Sequence, residues 1–570
     1  MSGGGGIENI AIPAAISLPL LPEEAAGMAG RRTQSRTIRS VRMGEITIKY
    51  GAGTMPDGSR IIPSELKQIA PRGRNFAYDT IFFVTFQRYA RFMQREEIQQ
   101  RILKDYSFHL STGSISQLSL EGLAYLEQCH FAGSEKLAAA YRGKCFFIHL
   151  DGTNEGGEYT HFVVREGMSG NVLYSAKIPS ESEESIVPVL EKVKSYFGVP
   201  DAVISDMSEA IKNAVAAVFK GIPHRLCHFH FLKAIGKDLL TGHHQRMCIS
   251  VKSMKKTLAG IRNDAAGELK EICAGRKNEK MRSDIEWLLS AIDRINDCGK
   301  DLGAEGFPFD LQAVAFCERC AQALQAIEQI LQTGRKVKTI RFCILRNRIQ
   351  EFLQWLRSDI NQIAELNKIF CELRSILHPE TAKGGIPLNW GMLAGETGIR
   401  NIRTELELLR IAAVQKANAK SLPKYLGKAW KIVGRRLTKQ CAMLDPCIAV
   451  RGKTVILPGT NNLSETGFRD AKRRARRTTG KKNLSKHMDE LPAQYFYIFN
   501  LDDPEYVSAV YGKDEIFDSF HLVDKKEIDK TGNEMKAQRK APNSIDYKLI
   551  RKKDYIEQLV RHFHEDIEKK

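Results

Sequence analysis

Between residues 144 and 240 the hydrophobic pattern of the chain changes from helical spacing to short apolar runs, and that change constrains the fold more than any other feature. "CFFIHLD", "YTHFVVRE" and "NVLYSAKIP" are rich in β-branched and aromatic residues, are separated by Gly-containing turns, and read as three successive strands. "SEESIVPVLEKVKSYFG" then carries Ile186, Val189, Leu190, Val193 and Phe197 on one helical face. "PDAVISD" reads as a buried strand, "MSEAIKNAVAAVF" as a second helix and "HRLCHFHF" as a fifth strand. Three strands, helix, strand, helix, strand is an α/β pattern that opens with an antiparallel meander. Two of the strands end in an acid, Asp151 and Asp206. A right-handed crossover puts the strand at 200–206 parallel to and beside the one at 145–151, and adjacent strands lie about 4.8 Å apart. Carboxylates that close repel unless they share a cation. The expected guest is a hard divalent ion, Mg2+ or Mn2+.

Composition narrows the partner. The 570 residues hold 86 Lys and Arg against 67 Asp and Glu, a net charge of +19. Such an excess favours a polyanion, because each neutralised phosphate releases condensed counterions. The apolar "NIAIPAAISLPLLP" near the N-terminus is too short to span a bilayer, is interrupted by Pro13, Pro19 and Pro22, and follows a segment without Lys or Arg. It reads as neither signal peptide nor membrane helix, so no membrane is expected. The 12 cysteines form no regular framework. They suit a reducing cytoplasm and predict no disulfide.

Along the chain, residues 1–40 begin "SGGGG" and end in "RRTQSRTIR", which reads as a flexible basic arm. Residues 41–140 form an N-terminal region with short β-like pieces ("EITIKY", "RIIP") and then helices. Within it, about 94–126, a helix from Arg95 with Ile98 and Ile102 inward is followed by one capped by Ser111, with Ile115, Leu118 and Leu123 inward. This is either a helix-turn-helix exposing Ser114 and Gln117 to DNA or a plain helical hairpin. Residues 144–240 and 458–490 are assigned to the α/β core, 241–457 to a helical insertion, and 491–570 to a C-terminal tail without a usable motif.

A third metal ligand is needed for two ions about 3.5 to 4 Å apart that drive a phosphoryl displacement. Glu465 is the candidate. Its helix, which Asn461, Asn462 or Ser464 can cap, also displays Arg469, Lys472, Arg473, Arg474, Arg476 and Arg477. A carboxylate followed by a ladder of cations suits a polynucleotide held over metal. The plainer alternative is a solvated basic helix. Glu155 in "DGTNEG" is an additional metal or substrate contact, or simply a turn acid. Cys227 and His230, with His243 or His244 and Cys248, have finger-like spacing, but "FLKAIGKDLL" between them reads as one helix and argues against Zn2+. Cys317 and Cys320 read as core.

Asp151, Asp206, "CHFH", a long helical insertion and "TNNLSE" before a basic helix together resemble the DDE-type transposases of bacterial insertion sequences, most closely the Mutator-like and hAT-like groups, over roughly residues 70–490. The resemblance implies a ribonuclease H-like fold, a two-metal site that cleaves and joins DNA, and a triad of Asp151, Asp206 and Glu465. It matches the Cys-x-x-His element to Cys227 and His230 as accessory residues. It also implies double-stranded DNA as partner, a homodimer on paired ends and a place in the bacterial nucleoid. Many relatives begin with a cysteine-rich segment, whereas here no cysteine precedes Cys129. The alternatives are a catalytically inactive, transposase-derived DNA-binding protein and a ribonuclease H-like nuclease without strand transfer.

Overall fold

The computed structural model describes residues 15–538 except 22, 27, 29, 276–278, 298–305, 333–339, 378–395, 461 and 513–514, and leaves the side chains of 396–401, 462–466, 470 and 478 undescribed. The chain divides into two compact units, Met1–His224 with Asn461–Lys570, and Arg225–Thr460.

The first unit opens with a four-stranded sheet of β1 (Ala15–Leu18), β2 (Gly30–Ser40), β3 (Gly44–Thr54) and β4 (Arg60–Ile61). The basic segment expected as a flexible arm is therefore corrected. Its last eleven residues are β2, paired antiparallel with β3 along its whole length. The physical reason is a period of two under the charge run: Ile38 and Ser40 turn inward with Ile46, Ile48 and Ala52, while Arg31, Thr33 and Ser35 are exposed. Helix α1 (Ser64–Ile69) adds Leu66 to that small core.

Helices α2 (Tyr78–Tyr89), α3 (Arg95–Tyr106), α4 (Thr112–Ala132) and α5 (Ser134–Arg142) follow. The predicted cap is present, since Ser114 N–H donates to Ser111 Oγ at 3.0 Å. The helix after it is less like a groove reader than expected. Over 21 residues α4 buries Ile115, Leu118, Leu123, Ala124, Tyr125, Leu126 and Cys129, so it is a central core helix. Gln117 is exposed, but the Ser114 hydroxyl is held by Ser111 Oγ at 2.9 Å.

The second sheet has the order β7-β6-β5-β8-β9: β5 (Phe147–Thr153), β6 (Thr160–Glu166) and β7 (Val172–Ile178) form the antiparallel meander, and β8 (Ala202–Ser205) lies parallel to β5. Between them run α6 (Glu183–Phe197), capped by Ser182, and α7 (Glu209–Val218). The fifth strand is shorter than "HRLCHFHF" predicts. Only β9 (His224–Leu226) is extended, and from His228 the chain is helical.

The second unit is built on α8 (His228–Gly275), α9 (Glu279–Asn296), α10 (Gln312–Gln332), α11 (Arg341–Leu377), α12 (Glu396–Ala417) and α13 (Lys424–Leu444), with a hairpin of β10 (Cys447–Val450) and β11 (Lys453–Ile456). The insertion thus begins before residue 241, because α8 is one uninterrupted helix of 48 residues. Cys317 and Cys320 are buried on α10. Among the described residues, no helix is long and apolar enough to cross a membrane.

Back in the first unit come α14 (Asn462–Thr479), α15 (Ser485–Glu490), α16 (Pro504–Tyr511) and α17 (Lys525–Gln538), with 3-10 turns at Ala493–Asp502 and Ile516–Leu522. The residues read as a tail belong to the main core through residue 538. Tyr495, Phe496, Tyr497, Tyr506, Tyr511, Phe520 and Met535 are buried with α4 and the second sheet in one apolar cluster. Aromatic residues at irregular spacing gave no periodic signal, because 3-10 turns bury them without one.

Candidate functional site

The registered pairs of β5 with β8 are Phe147 with Ala202, Ile148 with Val203 and His149 with Ile204. Side chains two apart on a strand share a face. Carried on by two residues, the same register would set Asp206 opposite Asp151, but the paired residues end at His149 and Ile204. The expectation that both acids end their strands is corrected: β5 runs on past Asp151 to Thr153, and Asp206 lies just beyond β8. Asp151 is 7% exposed. Asp206 follows the last residue of β8, and its Oδ1 accepts the Ser208 N–H at 2.9 Å, which fixes the carboxylate in the turn leading to α7. Beneath it, Ser205 Oγ donates to the Asp206 carbonyl at 2.8 Å and meets His224 Nε2 at 2.8 Å.

A carboxylate that sequence reasoning missed stands near Asp206. A Cβ placed on Gly152 would fall 2.0 Å from Glu181 Oε1, so Glu181, in the turn from β7 to α6, lies directly over the residue that follows Asp151. Burial and the like charge of Asp206 together raise the Glu181 pKa. In "PSESEES" this residue is one acid among three before a helix and looks like cap chemistry. Its only distinguishing mark is its position just after the third strand of the meander.

Arg165 supplies the opposite charge. It pairs with His149 across β5 and β6, on the face that carries Asp151, and is only 4% exposed. Its Nη1 donates to the Gly170 carbonyl at 2.9 Å, whereas Nε and Nη2 find no hydrogen-bond partner among the described residues. Burial lowers its pKa to about 10, and the charge of Asp151 counteracts part of that shift. The guanidinium lies against α14: a Cβ on Gly467 would come within 2.5 Å of Nη2.

Helix α14 packs along β5 and buries Phe468 and Ala471 in the main core, while Ala475 is buried against Leu484 and Met488. Burying Phe468 alone is worth roughly 2–3 kcal/mol, enough to hold one face of a cationic helix against the sheet. The opposite face leaves Arg469, Arg473, Arg476 and Arg477 exposed. Arg474 stacks its guanidinium 4.7 Å from the Phe92 ring centroid. Lys472 and Arg476 meet the Glu155 carboxylate at 2.6 and 3.6 Å. Glu155 is thus occupied by α14. Position 465 lies near the start of α14, seven residues before Lys472 and so on the same ridge of the helix. The Glu465 side chain, and the proposed caps Asn461, Asn462 and Ser464, lie outside the described residues. Among those that are described, no group of three His, Cys, Asp or Glu side chains is arranged to hold a metal ion.

In the second unit, Cys227 follows β9 and is buried, and its carbonyl accepts the Phe231 N–H in the first turn of α8. His230 lies in the first turn of α8. Between them, His228 contacts the Leu444 carbonyl through Nε2 at 2.8 Å, and burial lowers its pKa. The zinc alternative fails on distance. His244 and Cys248 are neighbours at 3.6 Å, but fourteen residues of α8, about 21 Å of helix, separate His244 from His230. His243 is engaged by Asp359 at 2.8 Å.

Comparison with known proteins places a family on this region. Residues 163–234, which include Asp206, Cys227 and His230, match the MULE transposase domain. Among solved structures, a chain of the Drosophila P element transposase strand transfer complex is similar at 9% identity and a TM-score of 0.33, covering 80% of this chain and 96% of that one. No curated protein matches the sequence.

Proposed function

We propose that this protein is a DNA transposase of the DDE type, with a ribonuclease H-like sheet and a divalent-metal site at Asp151 and Asp206. The observation that supports the reading is the parallel β5–β8 register, which, carried on by two residues, sets Asp151 opposite Asp206, the latter inside the segment that matches a transposase domain. The donor set fits Mg2+ or Mn2+: hard carboxylate oxygens, with Glu181 flanking and Glu465 carried on the helix that packs along β5. Divalent ions bound by such carboxylates supply activation of water or a 3′-hydroxyl and stabilisation of the leaving oxygen. The protein's own part is positioning. The Ser208 amide orients Asp206, Arg165 offsets the charge of Asp151, and the exposed arginines of α14 give a DNA strand its phosphate contacts. Double-stranded DNA is the partner, and a homodimer on paired ends is the assembly the family resemblance implies.

The test is a Mn2+-dependent nicking assay on supercoiled DNA, followed by joining of a pre-nicked end. Asp151→Asn, Asp206→Asn and Glu465→Gln are each expected to lose cleavage by at least about a hundredfold, as removal of an electrostatic catalytic group does, while DNA affinity stays within a few fold. Normal cleavage by the Asp151 or Asp206 variant sinks the assignment. Cleavage without joining turns it into a nuclease. DNA binding with neither activity leaves the non-catalytic alternative.

A further inference from the structure

Glu155 is held in an unusually well-defined loop for a turn acid. Asn154 Oδ1 accepts from the Gly156 and Gly157 amides at 2.6 and 3.0 Å, and Gly156 takes a φ of +76° that only glycine adopts freely. On the other side, the Asp489 carboxylate accepts the amides of Glu158 and Tyr159 at 3.1 and 3.3 Å. The loop therefore presents the Glu155 carboxylate in one direction, toward α14. There each of its oxygens takes a different cation four residues apart on the helix, Oε1 with Lys472 and Oε2 with Arg476.

A carboxylate and a phosphodiester are both monoanions with two equivalent terminal oxygens. A seat that accepts one through two separate cations has the chemistry to accept the other. The seat sits within the exposed row formed by Arg469, Arg473 and Arg477, where a polynucleotide would pass. Side-chain exposures of 22% for Glu155 and 49% for Arg476 mean that water reaches the pair, and partly exposed ion pairs are weak. A strand that neutralises several cations at once gains from counterion release and can displace a single carboxylate.

We propose that Glu155 is a built-in phosphate surrogate: in the free protein it fills a phosphodiester site between Lys472 and Arg476, and polynucleotide binding along α14 expels it. The proposal rests on the reading of α14 as a phosphate-binding helix. It also gives that helix a threshold, because the first phosphate at this site must compete with an internal anion.

The experiment measures affinity of the full chain for a fluorescein-labelled 20-base-pair duplex of arbitrary sequence, by anisotropy at fixed salt. Glu155→Gln and Glu158→Gln remove the same charge from the same loop, but only Glu155 touches α14. Glu155→Gln is expected to bind about tenfold tighter than wild type, with Glu158→Gln within about twofold. In the wild type, hydrogen exchange at the amides of residues 155–159 is expected to speed up when duplex is added. Equal effects of the two variants, weaker binding by Glu155→Gln, or exchange that is unchanged or slowed overturns the surrogate role. Arg473→Ala separates this from the parent reading. If that variant leaves affinity intact, α14 is not the phosphate contact and both fall; if it weakens binding while the two glutamine variants behave alike, only the surrogate falls.

Discussion

Acidification offers a quantitative test of how the first unit is sealed. His161 on β6 is fully buried, its Nε2 meets the Met488 carbonyl at 2.8 Å, and its Nδ1 has no hydrogen-bond partner among the described residues. That environment suits a neutral ring with the proton on Nε2. Burial drives the pKa down from 6.5 to about 4, against a smaller opposing effect of the Met488 carbonyl. The sign follows from linkage: between these values the unfolded chain binds a proton that the folded chain refuses, so the stabilisation is complete above about pH 6.5 and is lost as pH falls toward 4. The shift corresponds to about 3 kcal/mol in total, of which about 2 kcal/mol is gone at pH 5. His130, bonded to the Leu173 carbonyl, is also held near 4 and adds to the slope. Glu127 works the other way, since burial raises its pKa to about 7 and its contribution fades as pH rises through 7. Both effects are common to wild type and a His161→Gln variant and cancel in the difference between them. Because the two units need not unfold together, the readout is hydrogen exchange of the β6 amides at pH 7.5 and pH 5 at matched ionic strength, corrected for intrinsic rates. The opening free energy of wild type is expected to drop about 2 kcal/mol more than that of the variant. Equal drops would refute the claim that His161 is buried neutral.

Other expectations concern close approaches around Asp151 and Asp206. Gly152→Ala puts a methyl 2.0 Å from Glu181 Oε1 and 3.1 Å from Thr160 Cγ2, so the Glu181 carboxylate must leave its place over Gly152. Its pKa, raised by burial first and by the charge of Asp206 second, should relax downward, measurable by carbon-detected NMR titration; an unchanged value would mean that the carboxylate keeps its surroundings. Gly467→Ala drives a methyl to 2.5 Å from the buried Arg165 guanidinium, at an expected cost of roughly 1–3 kcal/mol in the stability of the first unit. A neutral result by thermal unfolding would show that Arg165 has room to withdraw. The cleavage and affinity experiments set out above complete the series.

The second sheet was readable because its signals are local. Continuous apolar runs, Gly turns and one amphipathic crossover helix determine the order of strands, although β5 runs two residues past the acid expected to end it. What stayed hidden depends on partners far apart in sequence. Arg31 to Arg39 looked like a solvated charge run until β3 supplied the other half of a two-faced sheet. Tyr495, Tyr497 and Phe520 carried no usable period because 3-10 turns, not a helix, bury them. Glu155 looked like a turn acid because the cations it meets lie more than 300 residues away. The helix predicted to read DNA has the expected cap and the expected inward residues, and the sequence could not reveal that most of its remaining surface is also covered.

The division of the first unit between Met1–His224 and Asn461–Lys570 also has a consequence during synthesis. The segments bearing both aspartates leave the ribosome about 255 residues before α14, and longer still before the aromatic turns that close the same core, a delay of roughly 10–50 s at ordinary elongation rates. Throughout that interval the nascent sheet lacks both its cationic helix and its apolar cover. On the proposed function the site stays incomplete until α14 has been made, and a product truncated before it, with its apolar sheet uncovered, is expected to be aggregation-prone rather than active.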